Sequence, residues 1–252
     1  VLCDCAGGGT VKGATKSVWG GACIYLHQST LDLFGGKLTG GKVTGKGGGG
    51  AIALDDSKCV LNIYGGEISG NDGRWYGGAI FFNDKDKKGG TVNLYGGTIS
   101  GNKADKGGVI YSSCGGTVNL AGGTISGNAA RSGDGGVINM SGGTVTISGT
   151  KITGNTASQY GGAIYLYDGM TVTMTGGEIS GNRAAKEGGA VHVFGKNSTF
   201  YLSGGTITGN SSVDGGAVYL NREPSVLTMT GGTISGNTAT GNGGGVYIYR
   251  TG

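Results

Sequence analysis

The sequence predicts an all-β chain wound as a right-handed parallel β-helix of about nine three-stranded coils, 26–31 residues each. Three observations carry this expectation. The string Gly-Gly-x-Ile-Ser/Thr-Gly-Asn returns at a near-constant spacing. A second string, Gly-Gly-Ala/Val-Ile/Val, falls between its copies. No segment has the apolar spacing of a helix, and the short apolar runs alternate as strands do.

The first string occupies residues 65–71, 96–102, 122–128, 176–182, 204–210 and 231–237, and residues 149–155 keep its spacing with one glycine lost. Degenerate copies lie at 35–41 and near 7–13. Before each copy comes a short alternating run such as Thr91-Val-Asn-Leu-Tyr95, in which Val92 and Leu94 share one face and Thr91 and Asn93 the other. Val118/Leu120, Val145/Ile147, Val172/Met174 and Phe200/Leu202 repeat that pattern. The isoleucine of the first string (Ile68, Ile99, Ile125) is the inward residue of a second strand, and Ile80/Phe82, Ile138/Met140 and Ile164/Leu166 are those of a third. One such triplet cannot cover its own apolar face, whereas stacked copies share a continuous core. Glycine pairs suit corners where a β-carbon would clash. The asparagine behind each Ser/Thr-Gly suits a left-handed turn. Stacked at one corner, Asn71, Asn102, Asn128, Asn155, Asn182, Asn210 and Asn237 are expected to form an amide ladder. Nine coils at about 4.8 Å make a rod roughly 43 Å long. Its hand follows from the usual chirality of parallel crossovers. Residues 1–252 read as one domain without a linker.

Composition removes other classes. Pro224 is the only proline and the 62 glycines keep no every-third period, which excludes collagen. With 36% hydrophobic and 13% charged residues the chain is not a disordered one. Its 19 basic and 15 acidic residues, net +4, are too balanced to argue for a nucleic-acid or membrane partner. No apolar run approaches the roughly 18 residues needed to span a bilayer. No signal peptide or sorting motif is visible, so a mature or trimmed chain is expected. No cofactor is called for.

The pairing of Gly-Gly-Ala-Ile, as at residues 77–80 and 161–164, with Ile-Ser-Gly-Asn, as at 68–71 and 99–102, resembles the repeats of chlamydial polymorphic outer-membrane proteins. It is also similar to glycine-rich, pectate-lyase-like β-helix repeats in bacterial surface proteins. The resemblance runs from about Gly7 to Tyr249, with Ile or Leu where the chlamydial motif has Phe. It implies an extracellular, adhesin-like scaffold, secreted or on the cell surface, and supplies no catalytic residues.

Several constellations bear on function. The middle residues of the third strands form a column: Tyr25, Ala53, Phe81, Tyr111, Asn139, Tyr165, His192, Tyr219 and Tyr247. Read as outward-facing, its stretch Tyr165, His192, Tyr219, Tyr247 is a candidate platform for a surface glycan or a partner protein. Stacking that merely stabilises the sheet is the plainer reading. Threonines of the first strands (Thr91, Thr117, Thr144, Thr146, Thr171, Thr173) suggest an ice-binding lattice, but Asp32, Asn62, Tyr64, Asn93, Tyr95 and Tyr201 break it. A polysaccharide lyase or glycoside hydrolase would need carboxylates grouped on adjacent coils. The candidates are Asp55/Asp56 with Asp84/Asp86 beside Lys58, Lys85, Lys87 and Lys88, and Glu187 with Asp214. Glu67 and Glu178 share a column but lie four coils apart. His27 and His192 show no carboxylate or cysteine partner in register, so no metal site is expected. Of five cysteines, Cys3 and Cys5 fall inward in the first coil, Cys23 in a third strand, and Cys59 and Cys114 in loops two coils apart, beyond disulfide reach. Buried thiols are expected. No polar or helical cap closes either end, so the chain is expected to be part of a longer array or to stack end to end with itself.

Overall fold

A computed structural model describes residues 9–16, 20–45, 47–83, 88–221 and 224–249. These form a parallel β-solenoid without a helix, in which every strand pairs with its equivalent one turn away. About eight complete turns begin at Thr30, Val60, Thr91, Thr117, Thr144, Thr171, Thr199 and Val226, after a partial first turn. This is close to the nine coils expected. The expected first coil, with Cys3 and Cys5, lies outside the described residues.

Within one turn the chain runs through a first strand (Thr91–Leu94), a bend, a second strand (Thr98–Ser100), the asparagine corner, a short strand (Lys103–Lys106) and a third strand (Ile110–Ser112). The three sheets differ from the expected grouping. First and second strands belong to one 15-stranded sheet, and they merge without a break in Thr171–Ser180 and Thr199–Thr208. The short strands at that corner, seven of them just after an asparagine, make a nine-stranded sheet of their own, and the third strands make another. The short strands escape a sequence reading because most offer one small buried residue, such as Ala130, Ala157 or Ala184, too little for an alternation signal.

Register follows the apolar pattern. Val92, Val118, Val145, Val172 and Phe200 stand opposite one another in successive turns, as do Ile68, Ile99, Ile125, Ile152, Ile179 and Ile207. All of them are buried in one continuous cluster that runs from Leu26 to Leu220 and includes Cys59 and Cys114 as free thiols. Each such side chain contributes about 1.5–3 kcal/mol by leaving water. A slip of one residue would turn every inward side chain outward, so the core fixes the register.

At the asparagine corner the expected backbone assignment is reversed. Gly127 and Gly154, just before Asn128 and Asn155, take the left-handed conformation with φ of 61° and 63°, and the asparagines do not. A glycine there spares the turn the cost of a β-carbon, and frees the asparagine side chain to point inward. Asn128 Nδ2 donates to Asn155 Oδ1 at 2.9 Å and to the Ile99 carbonyl at 3.1 Å. Asn155 Oδ1 also accepts from the Asn128 backbone N–H at 2.9 Å. The same links run Asn71–Asn102–Asn128–Asn155–Asn182–Asn210–Asn237 at 2.9–3.0 Å. From Asn71 to Asn210 these amides are buried, so the bonds replace water that cannot reach them.

The third strands begin at the second glycine pair. A β-carbon on Gly162 would run into the Gly189 carbonyl oxygen of the next turn and the Arg183 backbone. A β-carbon on Gly161 would likewise run into the Ile164 carbonyl and the Tyr165 backbone N, so the residue before the glycine pair lies close against the third strand of its own turn.

A roofed aromatic column and its missing rung

The middle residues of the third strands do form a column in register: Ala53, Phe81, Tyr111, Asn139, Tyr165, His192, Tyr219, Tyr247. Their exposure differs from the sequence expectation. Tyr165 is 8% exposed, Tyr219 4% and His192 1%; only Tyr247 is half-buried. A second column covers them, built from the residue just before each glycine pair. Tyr160, Glu187 and Asp214 in this roof are bridged in parallel from turn to turn. Tyr76 lies 4.3 Å from the Tyr111 ring, and Tyr160 lies 5.0 Å from His192. Pointing away from the core does not by itself decide exposure here: Tyr25, at the start of the column, is exposed, whereas Tyr165 is buried.

His192 sits between Tyr165 at 5.3 Å and Tyr219 at 5.0 Å, and neither ring nitrogen has a hydrogen-bond partner. Burial pulls its pKa down to about 3, so the imidazole is neutral. Glu187 Oε2 lies 3.4 Å from Nε2, a carboxylate neighbour that the sequence reading did not find. Burial, and then the Asp214 carboxylate, push the Glu187 carboxyl up. Glu187 and Asp214 are thus adjacent, as their spacing implied. The pair borders the ring column, with the Glu187 side chain about 25% exposed.

His27 also has a carboxylate neighbour, Asp55 Oδ2 at 3.5 Å, and Asn83 Nδ2 donates to Asp55 Oδ1 at 2.6 Å. Asp56 is held below the usual carboxylate range by the Lys58 backbone N–H and Gln28. Asp84, Asp86, Lys85 and Lys87 lie outside the described residues. Glu67 is lowered by Ser69 and by Lys37, 2.9 Å away, which accounts for it as a surface ion pair.

The column is interrupted at Asn139, and there an open cleft of about 340 Å³ appears. It spans three rungs. The lower rung contributes Lys106, Tyr111, Ser112 and Ser113; the middle rung has only the small polar side chains of Asp134, Asn139 and Ser141; the upper rung supplies Tyr165 and Tyr167. Asn139 Nδ2 donates to the Asp134 carbonyl at 3.3 Å. Asp134 Oδ1 is buried and unpartnered, and burial raises the carboxyl against the opposing pull of Lys106. Burial also raises the Tyr111 phenol to about 12. The signal for this cleft was in the sequence, as the Asn139 gap, but it was legible only as a fault in the column.

One feature the sequence reading passed over is a second aromatic array. Phe34, Tyr64 and Tyr95, just after successive first strands, stack at 4.8 and 5.0 Å with interplanar angles of 7° and 13°, and stay half-exposed. Beside them Asn119, Asn93 and Asn62 donate down a ladder that ends on Asp32, at 2.7–2.8 Å. Five of the six residues that break the threonine lattice, all but Tyr201, belong to these ladders.

The sequence model of the Chlamydia polymorphic membrane protein repeat matches residues 96–113 and 149–167. Each match covers one second strand through its corner to a third strand. The chain is built of β-helix repeats similar to those of that family. No curated protein and no solved structure matches it.

Proposed function

We propose that this chain is a non-catalytic, surface-exposed, adhesin-like scaffold. The observation that carries the reading is the continuous solenoid with repeats similar to those of polymorphic membrane proteins. Its buried asparagines are spent on holding turns together, and Glu187 lies against the buried His192 ring. A rod of this kind holds a binding feature at a fixed distance and orientation. Protease treatment of intact producing cells, followed by immunoblotting, tests the location. Loss of the protein without lysis is the expected result, and full protection overturns it. A turnover screen on neutral and uronic-acid glycans tests the non-catalytic part; activity abolished by Glu187→Gln or Asp214→Asn would replace the scaffold with a glycosidase.

End-to-end self-association is the second part of the proposal. In the last described turn Met229 and Ile248, at positions buried in earlier turns, are exposed, Ile248 by 55%. A further turn, of a longer chain or of a second copy, would cover them. Light scattering with negative-stain microscopy over a concentration series is expected to show rods that lengthen; a monomer throughout overturns this part.

A further inference from the structure

We propose that the cleft at Asn139 is a slot for one pyranose ring of a neutral glycan, which enters as the missing rung of the aromatic column. This inference names a ligand class for the scaffold proposed above and rests on that reading only for its biological setting.

The argument begins with spacing. Successive rungs of a parallel sheet are about 4.8 Å apart, so Tyr111 and Tyr165, two rungs apart with Asn139 between them, are about 9.6 Å apart. A ring seated midway lies about 4.8 Å from each, inside the 4.5–7 Å range of aromatic packing. It would match the 5.3 Å that separates Tyr165 from the next ring, His192. Elsewhere in the column each ring has a ring neighbour on the rung above or below. Tyr111 stacks on Tyr76 at 4.3 Å and Phe81 at 6.1 Å, both of the rung below; Tyr165 meets His192 and Phe194 of the rung above and Tyr160 and Tyr167 of its own, and neither has a ring partner on the Asn139 rung. Both walls therefore turn their other face to the cleft.

The chemistry of the middle rung selects among flat guests. An aromatic side chain would fill the space but leave the surrounding polar groups unanswered. A pyranose has two apolar faces of axial C–H groups for the tyrosines and a belt of equatorial hydroxyls for the edge. Asp134, Ser141 and Lys106 line that edge, and Asp134 carries a buried carboxylate oxygen that no protein group satisfies. An unmet buried acceptor is costly; Oδ1 is closed off from solvent, and the carboxylate also takes the Tyr160 backbone N–H, so a ligand hydroxyl pairs with Oδ1 as the Asp134 side chain turns toward the cleft. With one cation and one carboxylate the edge is balanced, which suits a neutral sugar over a uronic acid.

The test uses the full chain and a panel of methyl glycosides (glucoside, galactoside, mannoside, N-acetylglucosaminide) with 4-methylphenol as the aromatic probe. Saturation-transfer NMR reports binding, and calorimetry gives the affinity. At least one glycoside is expected to bind through its ring C–H protons. Asn139→Tyr supplies the missing rung from the protein itself, as Tyr111 and Tyr165 do on either side. It is expected to keep the melting temperature and to weaken binding at least about tenfold, or about 1.4 kcal/mol. Tyr95→Ala, in the exposed stack, is expected to bind as the unmodified protein does. Methylphenol binding without any glycoside, unchanged glycoside affinity in Asn139→Tyr, or no saturation transfer from any glycoside each overturns the proposal. Surface exposure in the protease experiment would survive all three, so failure here is distinct from failure of the scaffold reading.

Discussion

The exposed stack Phe34–Tyr64–Tyr95 and the roofed column Tyr165–His192–Tyr219 are built on the same turns' spacing from the same kinds of ring, yet they have opposite surroundings. The stack lies at the bend between first and second strands of the large sheet and is half-exposed, and its rings are nearly parallel, 7° and 13° apart. The column lies under Tyr160 and Glu187, and its rings tilt by 41° and 56° about His192. Flat stacking uses both faces of the middle ring, so the exposed array offers solvent mainly edges. The column is nearly invisible to solvent, but where it breaks, at Asn139, it offers two faces. Ring exposure and ring availability are thus separate properties, and recognition depends on the second.

The two arrays can be pulled apart by substitution. Tyr165→Ala removes a buried ring and opens the column into the cleft; a loss of about 3–5 kcal/mol in urea unfolding is expected. A loss below about 1 kcal/mol would mean that the roof does not pack on the column. Asn155→Ala strikes the corner on which both arrays depend. It strips the Asn128 backbone N–H and side-chain amide of their acceptor, and about 2 kcal/mol should be lost with no change in the turn count seen by microscopy.

His192 separates the arrays by pH. Its folded pKa of about 3 lies below the ordinary 6.5, so the unfolded chain takes up the proton first. The stability from the neutral imidazole is whole above pH 6.5 and is lost as pH falls toward 3, by up to about 1.4 kcal/mol per unit. Glu187, raised by burial, contributes in the opposite sense. His192→Phe should remove the histidine slope and leave Tm more nearly flat between pH 6.5 and 4.5; an unchanged acid slope would place the sensitivity elsewhere. The smallest effect belongs to the exposed stack. Tyr64→Ala, which removes the middle ring and with it both contacts, should cost about 1 kcal/mol or less and leave the pH profile as it was.

The sequence by itself determined the winding. The seven-residue string, the glycine pairs and the inward Val/Leu/Ile positions give the coil length, the parallel register and the core, because each copy states the same local pattern and stacking is the one arrangement that covers it. The asparagine ladder was legible for the same reason: one residue type at one corner of every turn. Tertiary structure alone decided which residue at that corner takes the left-handed turn, Gly127 and not Asn128, since a side chain tied to two neighbouring turns has its direction set by them. It also decided that short strands after the corner form a sheet. Above all it decided that Tyr165 and His192, which point out of the core, are covered by the segment ahead of the glycine pair. Alternation along a strand tells which way a side chain leaves the backbone. Whether water is waiting there depends on what the rest of the turn lays across it: Asp134 lies over Asn139 as Tyr160 lies over its neighbours, and only the small size of the side chains on that rung leaves a cleft beside it.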